Sequence, residues 1–128
     1  MKELAELIKT MDLDFFGNGL HCINFEQMMN LYKKDEILLL DVRSKEELKY
    51  VSIPFAKNIP LNEIPDNLNE LTKDKLIVVY CTSNIRSAIA CVYLLLEGYN
   101  ARVLKTRLNE LVDMFKPGYI INNLVEKS

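Results

Sequence analysis

Residues 78–87 read Val-Val-Tyr-Cys-Thr-Ser-Asn-Ile-Arg-Ser and join two contrasting patterns. The segment continues an apolar, β-branched run that begins at Leu76 and is typical of a buried strand. After a short polar loop it turns into a helical run predicted over 86–97. Cys81 therefore stands at the end of a strand, where loop N–H groups and a helix dipole converge. Because such surroundings and a nearby arginine favour the thiolate, Cys81 is the candidate nucleophile and Arg86 the candidate cation.

Composition indicates one globular domain. The chain has 128 residues, of which 49% are apolar, so it can bury a core. A net charge of −2 and a pI near 5.5 argue against nucleic acid as a partner. The longest apolar run, 88–96, is shorter than the ~20 residues of a membrane span. The charged, amphipathic start of the chain does not resemble a secretory signal, so we expect a cytoplasmic protein.

The cysteines give no sign of a disulfide framework or a metal site. There are three of them, Cys22, Cys81 and Cys91, and none lies in a CxxC motif. Cys91 falls in the apolar run and Cys22 in a predicted strand, so both are expected in the core. We therefore expect no metal and no organic cofactor. The single histidine, His21, lies far from Cys81 in sequence, which argues against a Cys–His dyad.

Strand and helix patterns alternate along the chain. Strands are predicted at 21–23, 37–40, 76–80 and 101–104, with a short edge strand within 53–60. Helices are predicted at 2–11, 25–33, 45–50, 61–71, 86–97 and 108–115, and 12–20 as a connector with turn chemistry. The connections are too long for hairpins, so the fold class is α/β, with a mostly parallel sheet of about five strands and helices on both faces. Ligands bind beyond the carboxyl ends of such strands, where Cys81 falls.

Three stretches of the chain, one of them containing Cys81, follow one another in a characteristic order and spacing. They are Asp41-Val42-Arg43-Ser44 with Glu46-Glu47-Leu48; Ile53-Pro54-Phe55-Ala56-Lys57-Asn58-Ile59-Pro60; and Ile77 to Cys81 with Arg86-Ser87 and Gly98-Tyr99. Together they resemble a rhodanese (sulfurtransferase) domain, and the resemblance extends over about 22–115. It divides the chain into an N-terminal amphipathic helix and connector at 1–20, a rhodanese-like domain at 21–117 and a tail at 118–128.

The resemblance implies that Cys81 carries a persulfide sulfur. The loop that would hold this sulfur comprises Thr82, Ser83, Asn84, Ile85, Arg86 and Ser87. A persulfide anion needs converging N–H donors and a nearby cation more than a general base. We therefore expect a sulfurtransferase or persulfide carrier that takes sulfane sulfur from thiosulfate, polysulfide or a persulfide. The acceptor would be cyanide or a thiol, including one on a sulfur-relay protein.

Supporting roles are expected for Asp41, Arg43 and Arg107. Asp41 is predicted to cap backbone N–H groups and to pair with an arginine. Arg43 is predicted on a solvated face, with Glu47 or the substrate as a candidate partner. Arg107 is expected with Lys105 near the rim of the pocket. The N-terminal extension is expected to cover the sheet or to form a homodimer.

The chain departs from the family pattern at three places. Asn84 stands where the family usually has glycine, at a position predicted to need a positive φ that Asn tolerates. Ser52 replaces a histidine, and Thr106-Arg107 replaces a pair of glycines.

Two other classes of function stay open. One is a non-catalytic rhodanese-like binding module, which the three departures would favour if they close the pocket. The other is a small Cys-dependent phosphatase or arsenate reductase. Those phosphatases, by resemblance, use a longer loop than the four residues between Cys81 and Arg86, so the shorter ring favours a single sulfur atom.

Overall fold

The described strands form a single parallel sheet in the order β1-β5-β4-β2-β3. The computed structural model describes residues 1–106, 110, 113 and 116–124. The strands are β1 (Cys22–Asn24), β2 (Ile37–Asp41), β3 (Lys57–Asn58), β4 (Leu76–Tyr80) and β5 (Ala101–Lys105). The prediction of an α/β fold with about five mostly parallel strands is confirmed.

Helices cover both faces of this sheet. They are α1 (Lys2–Lys9), α2 (Leu13–Gly17), α3 (Phe25–Lys33), α4 (Lys45–Leu48), a 3₁₀ segment (Leu61–Glu70), α5 (Ile85–Leu96) and α6 (Pro117–Tyr119). Successive residues of a strand point to opposite faces, so Val79 packs with Leu94 of α5 while Val78 packs with Met28 of α3. All four side chains are fully buried. Burial on both sides explains why β2 and β4 read as continuous apolar runs.

Local capping signals set the helix starts. Asn24 and Gln27 form a capping box at α3, and Ser44 and Glu47 form one at α4. Helix α5 is followed by Gly98 at φ 87°, a left-handed conformation that favours glycine.

Some predicted element boundaries differ from those of the structure; for example, α1 ends at Lys9 rather than at residue 11. The connector at 12–20 contains helix α2, which begins because Asp12 accepts a hydrogen bond from the Phe15 N–H. Helix α4 ends at Leu48 rather than near residue 50. The predicted last helix, 108–115, falls mostly outside the described residues.

The N-terminal extension lies against α5 and is only lightly buried. Within the described helix α1, no side chain is fully buried, and Ile8 is 55% exposed. Among the described residues, no helix is long and apolar enough to cross a membrane. The predicted domain limits at 21 and 117 stay predictions.

The register of β2 and β4 brings two loops together. Asp41 pairs with Tyr80 at the ends of these neighbouring strands, and the Val42 N–H donates to the Tyr80 carbonyl at 3.1 Å. The loop that follows Asp41 therefore lies beside the loop that begins at Cys81. This is the edge of the sheet where parallel α/β folds bind ligands.

Candidate active site

The Cys81 sulfur lies on the floor of the loop and not at its mouth. Cys81 directly follows β4, is 2% exposed and belongs to the apolar cluster between the sheet and α5. Thr82, Ser83, Asn84 and Ile85 form the exposed outer part of the loop. A small molecule that reacts with the sulfur must therefore reach it through this loop.

Several hydrogen-bond donors converge on the sulfur. The Ser87 N–H donates to Cys81 Sγ at 3.3 Å, and the Ser87 hydroxyl lies at the same distance, where it accepts from the thiol and can donate to the thiolate. Burial is the largest influence and raises the pKa of Cys81. Hydrogen bonds from the Ser87 hydroxyl and from the N–H groups of Ser87, Ser83 and Arg86 outweigh it and leave the pKa below its ordinary value.

Asn84 shapes the turn that aims these donors. Its φ of 66° is left-handed, as predicted for the position where the family usually has glycine. The Asn84 carbonyl accepts from the Ala88 N–H at 3.1 Å, so α5 begins directly after this turn. The left-handed residue thus turns the following N–H groups back toward Cys81.

Arg86 points to a carboxylate, which the sequence analysis did not foresee. Its Nη1 and Nη2 donate to the two oxygens of Glu47 at 2.6 and 3.0 Å, and Nη2 also lies 3.4 Å from Thr82 Oγ1. Hydrogen bonds from Arg86 and from Ser44 hold the pKa of Glu47 at about 2. Arg86 is the predicted cation of the loop; in the structure its backbone N–H contacts the sulfur while its guanidinium binds Glu47.

Arg43 is buried, so the prediction that it lies on a solvated face is wrong. It is 4% exposed, and its Nη2 and Nε lie 2.7 and 3.1 Å from Asp41 Oδ2. Asp41 Oδ1 also accepts from the Arg43 N–H at 3.0 Å, which confirms both predicted contacts of Asp41. Asn58 donates to the carbonyls of Asp41 and Arg43 at 2.9 and 2.8 Å. This cluster fixes the loop after β2 beneath Glu47.

A cavity of about 280 Å³ opens beside Arg86. It is lined by Val42, Ser44, Leu61 and Asn62 as well as by Arg86. Its lining is mostly apolar, with the guanidinium as its charged group. It offers space for a small donor next to the loop.

Among the described residues, the other residues named from the sequence do not belong to the Cys81 loop. Cys91 is buried, as predicted, and burial raises its pKa to about 12. Cys22 was also predicted in the core, but it is partly exposed. Lys105 lines a separate depression with Asn24 and Thr106, and Arg107 lies outside the described residues. Within the described ranges, no cluster of three or more metal-ligating side chains occurs.

Comparison with known proteins places this site in a family. Residues 24–112 match the family model described as Rhodanese-like domain, and the chain belongs to this family. It is 41% identical over 73 residues to a sulfurtransferase of Allochromatium vinosum, covering 57% of this chain and 67% of that protein. It is 40% identical over 65 residues to the putative sulfurtransferase YtwF of Bacillus subtilis, covering 51% of this chain and 63% of that protein. The matches thus span about two thirds of each relative's length.

Solved structures give the same fold. The rhodanese-related protein of Thermoplasma volcanium matches with a TM-score of 0.63 and 28% identity, covering 76% of this chain and 95% of that one. A rhodanese-like domain protein of Staphylococcus aureus matches with a TM-score of 0.63 and 30% identity, covering 71% of this chain and 90% of that one. The family and the names of these relatives support a sulfurtransferase.

Proposed function

We propose that this protein is a rhodanese-like sulfurtransferase that carries sulfane sulfur as a persulfide on Cys81. The observation that carries the proposal is the convergence of the Ser83, Arg86 and Ser87 N–H groups and the Ser87 hydroxyl on one sulfur. Such a set of converging hydrogen-bond donors stabilises an anion without a general base. The family membership and the two sulfurtransferase relatives support the same reaction.

The reaction consists of two displacements at sulfur. The Cys81 thiolate attacks the outer sulfur of thiosulfate; the new S–S bond forms as the old one breaks, and sulfite leaves with the electron pair. The transferred sulfur remains as Cys81–S–S⁻, held by the loop amides. An acceptor thiolate or cyanide then attacks this outer sulfur and releases the Cys81 thiolate. Polysulfides and other persulfides react in the same way, with a shorter polysulfide or a thiolate as the leaving group.

Mass spectrometry of the intact protein tests the proposal directly. After incubation with thiosulfate or polysulfide and removal of excess donor, the wild type should gain one sulfur atom. The gain should disappear when a thiol acceptor is added, and it should be absent from Cys81→Ser. Cys91→Ser is the matched control because it removes a buried thiol of the same apolar cluster, and it should still gain the sulfur. A wild type that gains no sulfur from any sulfane donor refutes the proposal.

Burial of Cys81 favours one alternative, a non-catalytic binding module. A sulfur on a residue that is 2% exposed meets a small reagent only when the loop opens. Iodoacetamide distinguishes the two functions at neutral pH. A sulfurtransferase should be alkylated at Cys81 faster than a free cysteine, whereas a binding module should be alkylated more slowly.

Two further expectations belong to this proposal. The described cysteines are all free thiols, which supports a reducing compartment such as the cytoplasm. A homodimer through the N-terminal extension is supported by the exposed Ile8 and Phe16. Sedimentation equilibrium of the wild type and of a double Ile8→Ser, Phe16→Ser variant tests it. A wild-type monomer would refute the dimer.

A further inference from the structure

Two arginines lie in the adjoining loops of the site, and each is bound to a carboxylate. Arg86 donates from Nη1 and Nη2 to the two oxygens of Glu47, and Arg43 donates from Nη2 and Nε to Asp41. Each of these pairs has no net charge. An anion that approaches Cys81 therefore meets no excess of positive charge from either arginine.

Glu47 is held in place by its own helix as well as by Arg86. Its Oε1 accepts from the Ser44 N–H at 3.0 Å and from the Ser44 hydroxyl at 2.9 Å, as part of the capping box that begins α4. The pKa of Glu47 is about 2, so the carboxylate is charged at neutral pH. An anion that needs the guanidinium of Arg86 must therefore replace two charge-assisted hydrogen bonds to a fixed carboxylate.

The cost of leaving the guanidinium occupied depends on the charge of the sulfur donor. Cys81 reacts as a thiolate, and its repulsion of an incoming anion grows in proportion to the charge of that anion. The cavity beside Arg86 is otherwise lined, among the described residues, by uncharged side chains such as Val42, Ser44 and Leu61. A doubly charged donor such as thiosulfate therefore depends on a free guanidinium more than a singly charged donor does.

We infer that Glu47 sets the charge selectivity of this site, and that the donors it favours are singly charged anions such as persulfides and thiosulfonates. The inference rests on the proposed function, because it concerns the donor that loads Cys81. Glu47 acts through Arg86 and is thus a positioning residue. A thiosulfonate reacts as thiosulfate does: the thiolate attacks its outer sulfur, the new S–S bond forms as the old one breaks, and a sulfinate leaves with the electron pair.

Thiosulfate and methanethiosulfonate are a matched pair of donors. They transfer the same outer sulfur, and they differ by the replacement of one charged oxygen with a methyl group. Intact-mass measurements at short reaction times give the second-order rate constant for loading of Cys81 by each donor. Glu47→Gln should raise the constant for thiosulfate about tenfold, the effect of one charge-assisted hydrogen bond, and that for methanethiosulfonate about threefold or less. The ratio of the two constants should therefore rise at least about threefold in favour of thiosulfate.

Two control variants isolate the pairing with Arg86. Gln27 occupies the same position in the capping box of α3, so glutamine at position 47 is compatible with the start of α4. Glu46→Gln removes one negative charge from the neighbouring, exposed residue of α4, and it should change the ratio by less than about twofold. In an Arg86→Gln background, Glu47→Gln should no longer raise the ratio, because no guanidinium is left to release. Circular dichroism confirms that each variant is folded.

Three results would overturn the inference. They are an unchanged ratio in Glu47→Gln, an equal rise of the ratio in Glu46→Gln, and a rise that persists in the Arg86→Gln background. A purely structural effect of Glu47→Gln changes loading by both donors alike, so it gives the first of these results. Failure of the proposed function is distinguishable, because neither donor would then load Cys81 of the wild type.

Discussion

Replacing Ser87 with alanine should shift the pH profile of Cys81 alkylation to higher pH. The Ser87 hydroxyl is 3.3 Å from the sulfur and is the strongest of the interactions that lower the pKa of the thiol. Ser87 is fully buried, and alanine fits the space that it occupies. The Ser87 N–H remains in Ser87→Ala, so the variant removes one donor and keeps the others.

The expected size of the effect follows from the energy of one hydrogen bond. A hydrogen bond to a charged group contributes about 1.5–3 kcal/mol, and a bond to sulfur belongs at the low end. A loss of about 1.4 kcal/mol lowers the thiolate population about tenfold at a pH below the pKa. The more basic thiolate is also about threefold more nucleophilic, because the Brønsted slope is about 0.4–0.5. At any pH well below the wild-type inflection, Ser87→Ala should therefore react about threefold more slowly than the wild type.

The assay is iodoacetamide alkylation of Cys81 followed by mass spectrometry between pH 5 and pH 10. The inflection of the rate profile should move to higher pH in Ser87→Ala. Above both inflections the variant should react faster than the wild type, so the two profiles should cross. Ser83→Ala is the control: Ser83 acts on the sulfur through its backbone N–H, which alanine retains, so its inflection should stay in place. Parallel profiles that never cross would refute the role given to the hydroxyl.

Three other substitutions test the elements around the sulfur. Glu47 has a pKa of about 2 in place of the usual 4.5. Its pairing with Arg86 therefore stabilises the fold above pH 4.5, and this stabilisation is lost as the pH falls toward 2. The urea midpoints of the wild type and of Glu47→Gln should converge over that range. Asp41→Asn leaves the buried Arg43 charge unpaired and should cost about 3–5 kcal/mol in urea unfolding, and adding Arg43→Met should recover part of this loss. Asn84→Ala should cost about 1–2 kcal/mol because of the left-handed φ, whereas Asn84→Gly should be close to neutral, and equal losses would contradict the backbone argument.

Much of the fold could be predicted because its signals are local. The apolar runs of β2 and β4 are buried on both faces, so each reads as a strand without knowledge of its neighbours. The capping box of Ser44 and Glu47 likewise depends on nearby sequence, whereas the positive φ at Asn84 was predicted from the family resemblance. The parallel order follows from the long connections between strands.

The burial of Arg43 and the pairing of Arg86 with Glu47 could not be read from the chain, and the second of these depends on the register between β2 and β4. Arg43 precedes the polar and charged run 44–47 and looks solvated in sequence, but hydrogen bonds to Asp41 and to the Val51 carbonyl hold it inside. Glu47 and Arg86 are 39 positions apart. The available signal was an acidic helix start after β2 together with an arginine in the loop after β4. This signal becomes informative once β2 and β4 are known to be adjacent.

In the proposed reaction, the pairing of Glu47 with Arg86 determines which part of the site would stabilise the persulfide. A guanidinium that already binds a carboxylate in two places offers little unbalanced positive charge to the sulfur. Stabilisation of Cys81–S–S⁻ then falls mainly on the amides and on Ser87, which are fixed by the start of α5. A doubly charged donor such as thiosulfate must compete with Glu47 for Arg86, whereas a neutral or singly charged persulfide need not. On this proposal the arrangement favours sulfur donors of low charge, because the surface of the cavity beside Arg86 is largely apolar.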